Sequence, residues 1–162
     1  MTNSGPIKLT AALGTYEHVM PLKDGSVTIP GVEIEWDDSL TNYVEIFRKQ
    51  IQELTWDISV MSTFSYLCAI EYGIPITGLP CILTGGFHHG DFMINKDSGI
   101  KEPKDLIGKK VLTRAYTVTP GSQDKGILVD EFGVDIDQIT WVCNEPEHCV
   151  EARSHLPPNV VP

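Results

Sequence analysis

Two adjacent histidines, His88 and His89, follow the flexible stretch Thr84-Gly85-Gly86, and imidazole titrates close enough to neutral pH to give or take a proton. A turn with one ring in solvent is the plainer reading of the same dipeptide. His18, beside Tyr16 and Glu17, forms a second cluster just after an apolar run, where a parallel α/β sheet presents its ligand-facing residues. Holding an anion calls for other groups. Arg114 can grip a carboxylate through two parallel hydrogen bonds, a geometry lysine cannot reproduce, or can equally make a surface ion pair. Ser62 and Thr63, and later Thr117, Thr119, Gly121 and Ser122, stand where helices are expected to begin. Helix N–H groups and hydroxyls there suit a small dicarboxylate, although each hydroxyl can also be a simple cap, a role that stabilises by about 1 kcal/mol.

Other combinations are weaker. His18, His88, His89 and Asp91 are metal-donor types, but no ligand spacing joins them, so no metal is expected. Cys68, Cys81, Cys143 and Cys149 form no C-x-x-C pair and read as buried small hydrophobes of a reducing compartment. His148 lies between Glu147 and Cys149 on an expected helix, where neighbours point to different faces, so a cysteine–histidine nucleophile is not expected.

The elements that must position these groups alternate. Ile7–Leu13 reads as a buried strand ending at Gly14, and Val27–Ile29 and Val32–Trp36 as short strands around Pro30-Gly31. Val44, Phe47, Ile51 and Leu54 repeat at helical spacing from Thr41 or Asn42. A strand over Trp56–Met61, a helix capped by Ser62-Thr63 that runs through Tyr72 to Gly73, and an apolar run over Ile76–Leu83 follow. Beyond the paired glycines come a strand over Phe92–Asn95, a short helix from Pro103 to Gly108, and a strand over Lys109–Thr113. A helix over Thr119–Phe132, a strand over Ile139–Val142 and a helix from Pro146 through Arg153 complete the series. Such βαβα order predicts parallel sheets covered by helices. The lobes are expected to be residues 1–86 and 87–162, the second incomplete, because the chain stops at Pro162 just as an apolar strand begins. A fragment, a processed chain or a split gene product would look like this.

Composition narrows the partners. With 162 residues, 41% of them hydrophobic, the chain can bury a sizeable core or two small lobes. A formal net charge of -10 repels phosphate, so neither nucleic acid nor an anionic membrane is an expected partner. No run approaches the ~20 apolar residues of a membrane span, and Met1–Lys8 lacks the basic and apolar regions of a secretory signal, so a cytoplasmic location is expected.

The run Leu13-Gly14-Thr15-Tyr16-Glu17-His18-Val19-Met20-Pro21-Leu22-Lys23-Asp24-Gly25, followed by Gly31-Val32-Glu33-Ile34, resembles the opening of the 4,5-dihydroxyphthalate decarboxylases. Ile46-Phe47-Arg48, Trp56–Ser62, the Phe87-His88-His89 turn and Ser98–Val111 extend the likeness through most of the chain. Gly85 and His88 stand where that family usually places arginines, and Leu112–Tyr116 departs from its pattern. The resemblance implies a two-lobed α/β fold of the type II periplasmic-binding-protein kind, and a cofactor-free loss of CO2 from a hydroxylated aromatic acid. In such a reaction the phenol oxygens push electrons toward the carbon bearing the carboxylate, and a general acid protonates it. His88, His89 and His18 are the candidate acids, and Tyr16, Glu17, Ser62, Thr63, Arg114, Tyr116 and Thr119 the candidate substrate-binding set. A small aromatic carboxylate and a second copy of the chain are the expected partners. A non-catalytic solute-binding protein for an organic anion is the alternative, since this fold is used for binding as well as chemistry.

Overall fold

The computed structural model describes residues 5–162. Two compact units divide the chain, the first ending at Met61 and the second running Ser62–Pro162. The glycine pair at Gly85-Gly86 therefore lies inside the second unit.

The first unit is built on a parallel sheet of order β2-β1-β3, with β1 (Ile7–Ala12) between β2 (Val32–Trp36) and β3 (Ile58–Ser59). Ala11 faces Trp36 on one side and Ile58 on the other, and both Ala11 and Ala12 are fully buried, so small residues in the centre make room for larger ones at the edges. The stretch expected as a strand over Val27–Ile29 is instead an exposed turn, with the Val27 N–H on Pro21 and the Val32 N–H on the Ile29 carbonyl. Between the sheet residues lie the short α1 (Met20–Lys23) and α2 (Tyr43–Glu53), whose Asn42 cap accepts from the Val44 N–H.

Helix α2 buries Ile46, Gln50 and Ile51, a face rotated from the expected one. Gln50 explains the rotation. Its amide donates to the Trp56 carbonyl at 3.0 Å and accepts from the Trp56 N–H at 3.1 Å, which satisfies backbone groups that the two-residue β3 leaves unpaired. Leu54, expected on the apolar face, is exposed and takes a left-handed conformation to end the helix.

In the second unit β4 (Lys110–Thr113), β5 (Thr140–Cys143) and β6 (Val160–Val161) form another all-parallel sheet in that order. Leu106, Leu128, Val134, Ile139 and Trp141 make its core, and the Asn159 amide donates to three carbonyls, of Ile136, Asp137 and Ile139, beneath β6. Helix α4 (Thr119–Asp130) crosses from β4 to β5, and α3 (Thr63–Glu71) packs against it. Two expected strands do not form. Residues 76–83 and 92–95 have no neighbouring strand, and a lone strand cannot satisfy its own N–H and C=O groups, so both segments run as exposed chain with Leu79, Ile82 and Met93 in solvent. The helix expected from Pro146 is also replaced: residues 144–149 are irregular and a 3₁₀ helix begins only at Val150. Among the described residues no helix is long and apolar enough to cross a membrane.

Candidate functional site

In the first unit the carboxyl end of β1 leads into Gly14, whose φ of +72° is a conformation that side chains disfavour. A Cβ at this position would also overlap the Tyr43 ring. That space admits a stack in which Tyr16 lies between His18, at 5.7 Å, and Tyr43, at 5.4 Å. Burial, then the neighbouring Tyr43, raises the Tyr16 phenol above its ordinary range. Glu17 and His18 are exposed. Sequence reasoning grouped these residues, and the structure keeps Tyr16 and His18 in contact.

The second unit brings together the two helix starts singled out by their hydroxyls. The Phe64 N–H, in the first turn of α3, donates to Thr119 Oγ1, in the first turn of α4, at 3.1 Å. Both helices thus point their N-terminal ends, with their partial positive charge, toward one place. Gly121 permits the approach of chain beneath α4, because a Cβ there would stand 2.7 Å from Thr113 Oγ1. Ser62 Oγ turns away from capping and donates to Ser65 Oγ at 2.7 Å, while Thr63 is exposed at the same end.

Three groups that sequence reasoning missed underlie this place. Glu147, 3% exposed, accepts from the Tyr116 N–H at 2.7 Å, the Thr117 N–H at 3.0 Å and the Thr117 hydroxyl, so its charge is met by donors aimed at it. Lys125, 7% exposed, donates to the Tyr116 carbonyl at 2.9 Å and lies over the Tyr116 and Trp141 rings, 4.2 and 5.0 Å from their centroids. Burial pulls its ammonium down to about 8, against partial support from Cys143, Asp124 and Glu147. His148, expected on a helix surface, is instead buried, and its Nδ1 lies 2.7 Å from Ser65 Oγ.

Arg114 is placed differently from a free carboxylate clamp. Its Nε and Nη2 fork onto Glu145 at 3.0 and 3.1 Å, so the bidentate geometry is already met by an internal carboxylate. Tyr116 packs edge-on against Trp141, and burial raises its phenol.

His88 and His89 sit on a 3₁₀ turn, His88–Gly90, against the far half of α4. They line an open groove of about 250 Å³ with Phe87, Ile127, Asp130 and Glu131. His88 Nδ1 meets Asp91 at 2.9 Å and His89 Nε2 meets Glu131 at 2.9 Å. Asp124 lies close enough to feel both rings, and burial, then Asp91, raises its carboxyl. The groove is acidic, so of the two sites on α4 the helix starts suit a carboxylate ligand better.

All four cysteines are free thiols. Burial raises Cys68 and Cys143, and burial with the Glu151 carboxylate pushes Cys149 up to about 12, so these three stay protonated; Cys81, expected inside, lies on the exposed segment. Among the described residues no three His, Cys, Asp or Glu side chains converge as a metal site.

Two parallel sheets with crossing helices define an α/β protein of the periplasmic-binding-protein-like class. Residues 48–152 match the family described as NMT1/THI5 like, and the chain belongs to that family. It is 31% identical over 137 residues to a protein of Comamonas testosteroni named 4,5-dihydroxyphthalate decarboxylase, covering 84% of this chain and 41% of that one. A protein of the same name from Pseudomonas putida is 30% identical over 137 residues, with 84% and 52% covered. The chain spans about half the length of these curated relatives.

Proposed function

We propose that the protein takes part in decarboxylation of a hydroxylated aromatic dicarboxylic acid such as 4,5-dihydroxyphthalate, without a cofactor. The observation that carries this reading is the convergence of the α3 and α4 starts at Phe64 and Thr119, which concentrates N–H groups and hydroxyls in a protein whose net charge otherwise repels anions. Substrate carboxylate would meet Ser62, Thr63 and Thr119 there. The ring hydroxyls supply the electron push, so the protein's task is to hold the carboxylate and deliver one proton to the carbon that bears it. In the second unit His88, His89 and the buried His148 are the histidines proposed to supply it; His18 is the first unit's candidate. Within the second unit Tyr116, and Arg114 on release from Glu145, complete the proposed binding set; Tyr16 and Glu17 are the first unit's own proposed substrate-binding residues.

A cytoplasmic location belongs to the proposal and agrees with four free thiols. Association of copies does too, since Leu79, Ile82, Phe87 and Met93 are large apolar side chains left in solvent.

The test is release of CO2 from 4,5-dihydroxyphthalate by the purified protein, with and without a chelator. Release that survives the chelator is expected. Binding of the acid without release would transfer the assignment to a solute-binding protein.

A further inference from the structure

We propose that Ser62, Ser65 and His148 form a proton relay that serves the ligand end of α3, an inference that rests on the decarboxylase reading above. The chain of contacts is continuous: Ser62 Oγ to Ser65 Oγ is 2.7 Å and Ser65 Oγ to His148 Nδ1 is 2.7 Å. It runs from the interior outward, since His148 is 4% and Ser65 2% exposed while Ser62 is partly open at the helix start. Ser62 makes no side-chain cap bond; its hydroxyl donates to Ser65 and can rotate to accept from it instead, which frees its own proton for a ligand at the helix start.

With the two hydroxyls turned so that Ser65 donates to Ser62, the reverse of their resting direction, a protonated His148 passes its Nδ1 proton to Ser65 Oγ, Ser65 passes its own to Ser62 Oγ, and Ser62 passes its own to the ring carbon bearing the carboxylate. A C–H bond forms there with ring π electrons pushed from the phenol oxygen. The bond to the carboxylate then breaks, its electron pair restores the aromatic ring, and CO2 leaves. His148 remains neutral and is reloaded from solvent along the same hydroxyls. Ser62 is the group that touches substrate; Ser65 and His148 are positioning residues. The titratable and charged groups that meet here are Glu147 and Cys149 beside His148, Cys68 from α3 and Lys125 from α4, the last two each feeling the charge of Glu147.

Two measurements test it. In the first, turnover of 4,5-dihydroxyphthalate is followed against pH for wild type, Ser65→Ala, Ser65→Thr and His148→Gln, with folding checked by circular dichroism. Ser65→Ala is expected to lower kcat by about 100-fold with KM little changed. Ser65→Thr restores most of that loss, and His148→Gln removes the limb of the pH profile due to the imidazolium. Folded Ser65→Ala with the wild-type rate and profile overturns the relay and leaves the decarboxylase reading standing. In the second, the His148 ring is titrated by nitrogen NMR with and without phthalate, an unreactive dicarboxylate. A midpoint that moves on binding in wild type but not in Ser65→Ala supports the relay even if no CO2 is released; a midpoint indifferent to phthalate overturns it.

Discussion

The packed helices α3 and α4 carry two histidine neighbourhoods that differ in burial, partners and screening. Around the two helix starts, His148 against α3, Glu147 and the mid-helix Lys125 of α4 are buried and each is met by hydroxyls, backbone groups or aromatic faces. Along the far half of α4, His88 and His89 lie on a turn, partly or half exposed, and are met by the carboxylates of Asp91 and Glu131. Water screens the second set, so its pairs contribute little and can be exchanged freely. Nothing screens the first, and each polar group there must keep its partner or the fold loses stability. The contrast teaches where to look for function in this chain: buried polar groups cost too much to persist as decoration, whereas ion pairs on a surface turn need no further reason.

Removing Glu147 should give the largest effect. Glu147→Leu leaves the Tyr116 and Thr117 N–H groups buried without an acceptor and should lower unfolding free energy by roughly 3–5 kcal/mol, measured by urea denaturation. Glu147→Gln, which keeps one acceptor, should recover part of it. A loss under about 1 kcal/mol for the leucine variant would show that this cluster is as loosely held as the groove.

Lys125 gives the intermediate effect, and its sign follows from linkage. The ammonium titrates at about 8 in the folded chain and at its ordinary 10.5 when unfolded. Between those values the unfolded state holds more protons, so this group makes stability rise with pH, by ~2–3 kcal/mol across the window. The raised groups of Tyr116 and Cys149 act the other way, so the measurement is the difference between wild type and Lys125→Met at pH 7 and pH 10. The variant should lose ground relative to wild type as pH rises; a constant difference would mean that Lys125 is hydrated.

How much of this could be read from the residues alone depends on the range of the forces involved. Strand β1, helices α2, α3 and α4 and the parallel sheets were legible because periodicity and local stops mark them: Asn42 as a cap, Gly73 and Gly108 at positive φ after a helix. The apolar runs over 76–83 and 92–95 were misleading, since hydrophobicity does not say whether a partner strand exists. The pairing of the two helix starts was foreseeable from their hydroxyls. His148 was not, because its partner lies 83 residues away at Ser65 and its neighbours suggested a helix that does not form. Nothing in the sequence singled out Lys125, since a lysine in mid-helix is ordinarily solvated.

The smallest effect belongs to the groove, and it decides most between the two histidine sets. Replacing His89 by Ala breaks one half-exposed pair with Glu131, so stability should change by less than about 1 kcal/mol and less still at high salt. The same variant should leave CO2 release near wild type if the relay at His148 supplies the proton. A folded His89→Ala protein with release lowered about 100-fold would instead place the general acid on the surface turn, and would mean that exposure, which makes the groove weak as structure, is what lets its imidazole reach the substrate.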